Sequence, residues 1–345
     1  MAQQWILRKG SKERGFQYVA PSGRKTRTKA DLERIDALRI PPAWKDVHVA
    51  VSSRAPVQAW GFDARGRKQY RYHTRAVEKG ELAKHYRVRQ LASDLPKLRR
   101  TLRDDFGRGD FSKERVFAGI VLLISDAFFR VGSDRYEREN NTFGVTTLRK
   151  SHVKIVDESI QFDFRGKRSI RQKRLYRPSP RMMAFIQSLL RTPGQRLFRY
   201  KEDGKWINAS ARDVNEYIRS LADFPYTAKD FRTWGGTLRM AIVLADLDKG
   251  KNERARKKTV AQAVRFVASE LHNTPAIARK SYVHPVLITR YVQNGATIEV
   301  RHPSRAMRSE KRFRHTPEEK ALIDFLAQYF PERRKERRPV RPEED

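Results

Sequence analysis

A tyrosine and two basic residues lie in settings that suit chemistry on a phosphate. Tyr282 stands in the stretch RKSYVHPVL, after two cations and three residues before Pro285. Its hydroxyl is a potential nucleophile, although a tyrosine in such a helix usually serves packing.

In TAKDFRTWGG, Thr227 and Asp230 fit a capping box that starts a helix, and Gly235-Gly236 suggests the close approach of another backbone. Lys229 and Arg232 are three apart in the first turn of this predicted helix. That position favours anions, but a solvated basic face explains the same spacing equally well.

Arg130 closes a long apolar stretch. The run from Glu114 to Arg130 is apolar on nearly all sides, which predicts a buried helix that ends at Arg130. A cation at a helix C-terminus interacts favourably with the helix dipole. Helix capping and phosphate binding therefore both remain open for Arg130.

The helix that carries Tyr282 is predicted to begin at the cap Thr274-Pro275. Asn273 precedes this cap by one residue and Tyr282 by nine. Nine helical residues span about 13.5 Å, so the two side chains share a site only if the chain turns sharply at the cap. His272 and His284 flank these elements, but a lone histidine is more often a packing or surface residue.

Nucleotide and metal motifs are missing from the sequence. In GFDARGRK, Arg67-Lys68 stands where a P-loop needs Lys followed by Ser or Thr. No group of histidines and carboxylates has metal-ligand spacing. An enzyme that acts on nucleic acid without ATP or obvious metal ligands must conserve the bond energy covalently, and an attacking tyrosine can do this.

The composition points to a polyanionic partner. The chain has 75 Lys and Arg against 40 Asp and Glu, a net charge of +35 spread over its length. The longest apolar run, VFAGIVLLI, has nine residues, far short of the ~20 that span a membrane. The N-terminal MAQQWILRKGSK leads into no hydrophobic signal region, which predicts a cytoplasmic protein. The absence of cysteine excludes disulfides, zinc ribbons and thiol catalysis.

The patterning predicts an α+β protein with two domains and a tail. Residues 1–85 alternate short strands with turns (FQYVA, HVAVSS, VQAWGFD, KQYRYH) around one helix ended by Pro41-Pro42. Residues 86–330 form a larger, mainly helical domain, with helical periodicity from about Val88. A small β-hairpin sheet of two strands, VKIVDESIQFDFRGKRSI, is inserted there, with turns at Asp157-Glu158 and Gly166-Lys167. Residues 331–345 are charged and predicted to be disordered.

The ordered motifs resemble a known family. IPPAWKDV, GRKQYRYH, FRVGSDRYEREN, FGVTTLRK, FRGKRS, KDFRTW and HNTPAIARKSY resemble those of type IB DNA topoisomerases, specifically the small poxvirus-like enzymes found also in bacteria. The resemblance covers nearly the whole chain. It implies the catalytic fold shared with tyrosine recombinases and relaxation of supercoils of both signs by strand cleavage and religation, without ATP or a required metal.

The resemblance also implies catalytic roles. Tyr282 is the implied nucleophile that forms a 3′-phosphotyrosyl link, and Arg130 and Arg232 contact the nonbridging oxygens. Lys167 is the implied general acid for the 5′-hydroxyl that leaves. The family often has histidine at its fourth position.

Here His272 and Asn273 are the candidates for that fourth position, and the nine-residue spacing to Tyr282 selects Asn273. An amide cannot transfer a proton as imidazole does, but it still donates a hydrogen bond.

The implied partner is double-stranded DNA, encircled by a monomer that forms a clamp. The first domain resembles the cap of the clamp, with Gln69, Tyr70 and Tyr72 at the major groove, and Tyr136 and Lys229 are also implied at the DNA. Strand alternation puts Tyr70 and Tyr72 on one face and Gln69 on the other.

Two rival functions remain. A tyrosine recombinase or integrase typically carries His-x-x-Arg where this chain has Lys229-Asp230-Phe231-Arg232, which favours the topoisomerase. A non-catalytic DNA-binding protein would need the charge alone, but charge does not explain the ordered motifs.

Overall fold

The structure, a computed structural model, describes residues 3–26, 28–301 and 314–331. The chain divides into two compact units, residues 1–84 and 85–345. Among the described residues, no helix combines the length and apolar character needed to cross a membrane. The tail predicted to be disordered lies outside the described residues from position 332 onward.

The first unit is an antiparallel sheet with one short helix. Its elements are β1 (Trp5–Ser11), β2 (Gly15–Val19), α1 (Lys29–Ala37), β3 (Lys45–Ala50), β4 (Val57–Phe62) and β5 (Lys68–Tyr72). The sheet order is β2-β1-β3-β4-β5. Ile35 of α1 packs with Ile6, Val47, Val49 and Ala59 in a small core on one face of the sheet. Strand β1 was not predicted, because Arg8, Lys9 and Gly10 obscure its alternation.

The second unit is mainly helical. Its elements, with α2 starting before the boundary, are α2 (Thr74–Phe106), α3 (Lys113–Ala127), α4 (Asp134–Asn140), β6 (Val153–Val156), β7 (Ser159–Arg165), β8 (Arg171–Tyr176), α5 (Pro180–Leu190), β9 (Arg199–Glu202), β10 (Lys205–Asn208), α6 (Ala211–Ser220), α7 (Ala228–Asp246), α8 (Glu253–Glu270), α9 (Pro275–Tyr282), α10 (Pro285–Asn294) and α11 (Pro317–Tyr329).

Two predicted boundaries were wrong. Helix α2 begins at Thr74, not near Val88, because its first turns are charged and give no apolar periodicity. Helix α3 ends at Ala127, three residues before Arg130, and Phe128 adopts a left-handed conformation with φ of 53°. The apolar run of the sequence continues past the end of α3 because Phe129 is also buried in the core.

The inserted sheet has three strands, not two. The predicted turns at Asp157-Glu158 and Gly166-Lys167 join β6 to β7 and β7 to β8, in the order β6-β7-β8. The third strand, β8, escaped prediction because arginine and lysine dominate RQKRLY. Strand β8 is the arm of the hairpin that follows Lys167.

Candidate active site

The N-terminus of α7 is fixed by a buried carboxylate. Asp230 accepts hydrogen bonds from the backbone N–H of Thr227 at 2.9 Å and from its hydroxyl at 2.8 Å, which confirms the predicted capping box. The other carboxylate oxygen forms an ion pair with Arg87 at 2.9 Å. Asp230 is fully buried, so this network sets the orientation of the first turn of α7, which presents Arg232.

Arg232 is a buried cation with unused donors. Its side chain is 2% exposed, and its Nη2 donates to the carbonyl of Leu271 at 3.3 Å. Its Nε and Nη1 are buried and have no hydrogen-bond partner among the described residues. Burial lowers the pKa of Arg232 to about 10, a value at which the guanidinium stays charged at neutral pH. Unsatisfied charged donors are costly, so the site favours an anion.

Tyr282 lies beside this guanidinium. Helix α9 starts at the predicted cap, where the hydroxyl of Thr274 accepts from the N–H of Ile277 at 3.4 Å, and it ends at Tyr282. The guanidinium carbon of Arg232 is 4.9 Å from the centre of the Tyr282 ring. Burial raises the pKa of Tyr282, but the charges of Arg232 and Arg130 outweigh it, so that the pKa lies below its ordinary value. The phenol is therefore easier to ionise here than in water.

Two adjacent glycines let other elements approach α7. A side chain on Gly235 would overlap the ring of Phe128, and one on Gly236 would meet the backbone of Tyr282. The close approach predicted for this glycine pair is confirmed. It brings the end of α3 and the end of α9 onto the same turns of α7.

Arg130 is held by a loop, not by a helix end. Its carbonyl accepts from the N–H of Val145 at 2.8 Å, and the carbonyl of Val131 accepts from the N–H of Thr146 at 2.9 Å. Gly144 permits this pairing, because a Cβ there would lie 2.7 Å from the carbonyl oxygen of Arg130. The FGVTTLRK segment thus fixes the backbone from which Arg130 reaches the site.

Arg130 and Asn273 are in direct contact. The Nη2 group of Arg130 donates to Oδ1 of Asn273 and, at 3.4 Å, to the carbonyl of His272. Because a guanidinium only donates, the amide must turn its oxygen toward Arg130. Its Nδ2 is buried and has no partner in the part of the chain that the structure describes, and this donor lies in the same site as those of Arg232.

His272 belongs to the same cluster. Burial, together with the charges of Arg174, Arg232 and Arg130, lowers the pKa of its imidazole to about 4. The ring is therefore neutral at physiological pH. The sharp turn required before α9 is present, because His272 adopts a left-handed backbone with φ of 48° and the N–H of Asn273 bonds back to Ala268 at 2.9 Å.

Two predicted lysines lie at the surface. Lys167 stands in the turn between β7 and β8, which is closed by a 2.8 Å hydrogen bond from the N–H of Gly166 to the carbonyl of Ile170. Its ammonium is exposed and makes no hydrogen bond or ion pair within the described part of the chain. Lys229 is also exposed, and its charge contributes to the lowered pKa of Tyr282. The structure thus brings four predicted catalytic residues together, with Lys167 outside their contacts.

The predicted DNA-binding residues of β5 have the predicted alternation. Tyr70 and Tyr72 are 41% and 54% exposed and stack with ring centres 5.8 Å apart. Gln69 lies on the other face and donates to Asp63 at 3.0 Å. Tyr136, in the second unit, is an exposed residue of α4.

Sequence reasoning missed one cation of the cluster. Arg174 of β8 is 6% exposed, and its charge acts on both Arg232 and His272. In a chain with 75 Lys and Arg, alternation within β8 was the one available signal. No group of three or more His, Cys, Asp or Glu side chains suited to a metal occurs among the described residues.

Comparison with known proteins shows which protein family the chain matches. The family model described as "Eukaryotic DNA topoisomerase I, catalytic core" matches residues 70–302, and the model "Bacterial DNA topoisomerase IB, N-terminal domain" matches residues 15–63. The chain is similar to DNA topoisomerase 1B of Acanthamoeba polyphaga mimivirus, with 35% identity covering 84% of this chain and 88% of that protein. It is 22% identical to DNA topoisomerase 1B of vaccinia virus (strain Western Reserve), over 66% of this chain and 70% of that protein.

Proposed function

The chain belongs to the type IB DNA topoisomerases, and we propose that it relaxes positive and negative supercoils through a covalent bond between Tyr282 and a 3′-phosphate of DNA. Neither a recombinase or integrase nor a non-catalytic DNA-binding protein is favoured by these family matches.

One observation supports this chemistry more than any other. The Nε and Nη1 of Arg232 and the Nδ2 of Asn273 are buried donors that have no acceptor among residues 3–26, 28–301 and 314–331. They lie in a cluster with Arg130 and Tyr282, joined by the contacts of Arg130 with Asn273 and of Arg232 with the tyrosine ring. A pentacoordinate phosphate concentrates negative charge on its oxygens, and a fixed donor that matches it contributes ~10²–10³ in rate. The buried donors of Arg232 and Asn273 are suited to stabilise this pentacoordinate phosphate.

The proposed reaction exchanges one phosphodiester for another. The Oη of Tyr282 gives its proton to solvent water and attacks phosphorus while the bond from phosphorus to the 5′ oxygen breaks. Lys167 donates a proton to that leaving oxygen, contributing ~10²–10⁴ in rate. The free 5′-hydroxyl end then swivels and later reverses the reaction. Because no bond energy is lost, the cycle needs neither ATP nor, with this donor set, a metal.

Lys167 lies outside the contacts of the other four residues, so DNA binding must bring the leaving oxygen to it. Its ammonium is exposed in the β7–β8 turn and is therefore available to that oxygen. We assign the neutral amide of Asn273, not the imidazole of His272, to the phosphate oxygen, because Asn273 bonds directly to Arg130.

We further propose that a monomer encircles the duplex as a clamp, using the catalytic fold shared with tyrosine recombinases and acting on nucleoid DNA in the cytoplasm. Gln69, Tyr70 and Tyr72 of the first unit and Tyr136 and Lys229 of the second contact the DNA. With a charge of +35 and roughly 6–10 phosphate contacts, affinity should fall ~10³–10⁵ between about 50 and 200 mM salt. A binding constant independent of salt would contradict this role for the charge.

A plasmid assay tests the proposed function. In EDTA without nucleotide, the protein should relax both positively and negatively supercoiled plasmids. Tyr282→Phe removes one oxygen and keeps the ring, so this variant should bind duplex DNA as wild type does but relax nothing and form no covalent adduct on denaturation. A strict requirement for ATP, or a covalent adduct with Tyr282→Phe, would refute the mechanism.

A further inference from the structure

Arg174 is an arginine of the inserted sheet that points into the protein. On β8, Gln172 and Arg174 are buried and alternate with the exposed Arg171 and Lys173. The Nη1 of Arg174 donates to the carbonyl of Ala127 at 2.8 Å, and its Nη2 donates to Oε1 of Gln172 at 3.1 Å. The guanidinium carbon also lies 4.4 Å from the centre of the Phe129 ring. Its position is therefore well defined.

These contacts join two segments that lead to proposed catalytic residues. Ala127 is the last residue of α3, and Arg130 follows it by three positions. Strand β8 is the arm that follows the turn holding Lys167. A single side chain thus ties the approach to Arg130 to the strand that leaves Lys167.

The charge of Arg174 is not balanced by the protein. Among the described residues, no carboxylate forms an ion pair with Arg174, Arg130 or Arg232. Within the described part of the chain, the buried Nε of Arg174 has no acceptor. Burial and the charges of Arg232 and Arg130 together lower the pKa of Arg174 to about 9, as expected for neighbouring cations that repel one another. Such an arrangement is unfavourable until an anion enters it.

We propose that Arg174 is a positioning residue of the phosphate site, which fixes the segments of Arg130 and Lys167 and adds an uncompensated positive charge to the potential at the scissile phosphate. This inference rests on the proposed function. Both Nη groups of Arg174 are held by protein acceptors, so its charge acts on the phosphate across the intervening side chains. A purely structural arginine would make the same two hydrogen bonds, and only the effect of charge separates the two roles.

The test compares a charged and a neutral phosphate. Single-turnover cleavage is measured on a duplex with an ordinary phosphodiester and on one with a methylphosphonate, in which a methyl group replaces one nonbridging oxygen and removes the charge. Arg174→Gln keeps an amide donor for Ala127 but no charge. Arg171→Gln is the matched control, because Arg171 is on the same strand but exposed and paired with Asp163 at 2.8 Å.

Arg174→Gln should cleave the phosphodiester roughly 10- to 100-fold more slowly than wild type, as expected for loss of a nearby charge at intermediate dielectric. The loss should be at least about fivefold smaller on the methylphosphonate, because its transition state gains less from a positive potential. Arg171→Gln should match wild type on the phosphodiester. The covalent adduct of wild type, measured in the same assay, decides the proposed function separately.

Equal losses of Arg174→Gln on both linkages, or no loss on either, would overturn the proposal. Arg174→Lys is a second variant, made in case Arg174→Gln does not fold. Circular dichroism melting shows whether each variant is folded. It keeps the charge, so it should retain most of the phosphodiester activity. A folded Arg174→Lys protein that loses about 10²-fold or more would also overturn the proposal, because a retained charge would then not support cleavage.

Discussion

Gly236 and Tyr282 are in backbone contact across the α7–α9 packing. A Cβ on Gly236 would lie 2.8 Å from the carbonyl oxygen of Tyr282 and 3.2 Å from its Cβ. Arg232 precedes Gly236 by one helical turn on α7, so the absence of a side chain at 236 sets how closely the proposed nucleophile approaches its guanidinium. The glycine costs α7 up to about 1 kcal/mol of helix stability relative to alanine, and the geometry of the site is the compensating gain.

Gly236→Ala should slow DNA cleavage more than it weakens DNA binding. The added methyl must displace a backbone carbonyl, and a shift of about 1 Å at reacting atoms can cost ~10²-fold in rate. Overpacking should also lower the free energy of unfolding by about 1–3 kcal/mol. Single-turnover cleavage and urea unfolding measure the two effects.

Gly80→Ala is the control for this substitution, since Gly80 is also helical but has no atom within 4 Å of its Cβ position. It should be neutral or stabilising by up to about 1 kcal/mol. Wild-type cleavage by Gly236→Ala would mean that the contact does not set the nucleophile.

Thr237 fixes the chain on either side of Val283. Its buried hydroxyl lies 3.2 Å from the carbonyl oxygen of Tyr282, accepts from the N–H of His284 at 3.2 Å and donates to Thr233 at 2.8 Å. Thr237→Val keeps the shape but leaves the N–H of His284 without this acceptor, so stability should fall by about 1–3 kcal/mol and cleavage should slow. Thr237→Ser keeps the hydroxyl and should stay close to wild type. Equal behaviour of the two variants in unfolding and cleavage would exclude the hydrogen bonds as the cause.

The parts of the site governed by local hydrogen bonds were predictable from sequence. The Thr227–Asp230 box and the Thr274 cap each involve residues a few positions apart, and the glycine pair marked a close approach. The end of α3 was not predictable, because Phe128 leaves the helix to use the space that Gly235 provides more than 100 positions away. The burial of Arg174 could not be predicted for a similar reason, since the carbonyl of Ala127, which accepts its hydrogen bond, belongs to another element.

An ion pair of α11 should make stability depend on acid pH. Glu319 is 2% exposed and binds Arg99 through two hydrogen bonds of 2.5 and 2.8 Å. Burial raises the pKa of Glu319, but the hydrogen bonds and charge of Arg99 outweigh it and place the pKa below its ordinary value of 4.5. The stabilisation is therefore complete above that value and is lost as the pH falls through the lower pKa of the folded protein.

Glu319→Gln tests this dependence. At pH 7 the substitution should lower the free energy of unfolding by about 3 kcal/mol, because it leaves Arg99 without its charged partner. The difference from wild type should shrink as the pH falls below about 4.5. Urea unfolding of both proteins between pH 3 and 7 measures it, and a constant difference would show that ionisation of Glu319 does not matter.

The cleavage defects caused by replacing Lys167 and by replacing Arg232 should respond differently to a better leaving group. Lys167→Ala removes the proposed proton donor, so its cleavage defect of ~10²–10⁴ should largely disappear with a 5′-thiolate leaving group, which needs no general acid. Arg232→Ala keeps Lys167 but loses the charge that is proposed to face the phosphate, and the thiolate should not rescue it. Rates of covalent adduct formation on the two substrates separate these roles. Rescue of Arg232→Ala, or a persistent defect in Lys167→Ala, would reassign the acid, and the exposed Lys229 at the start of α7 would then be the residue to test.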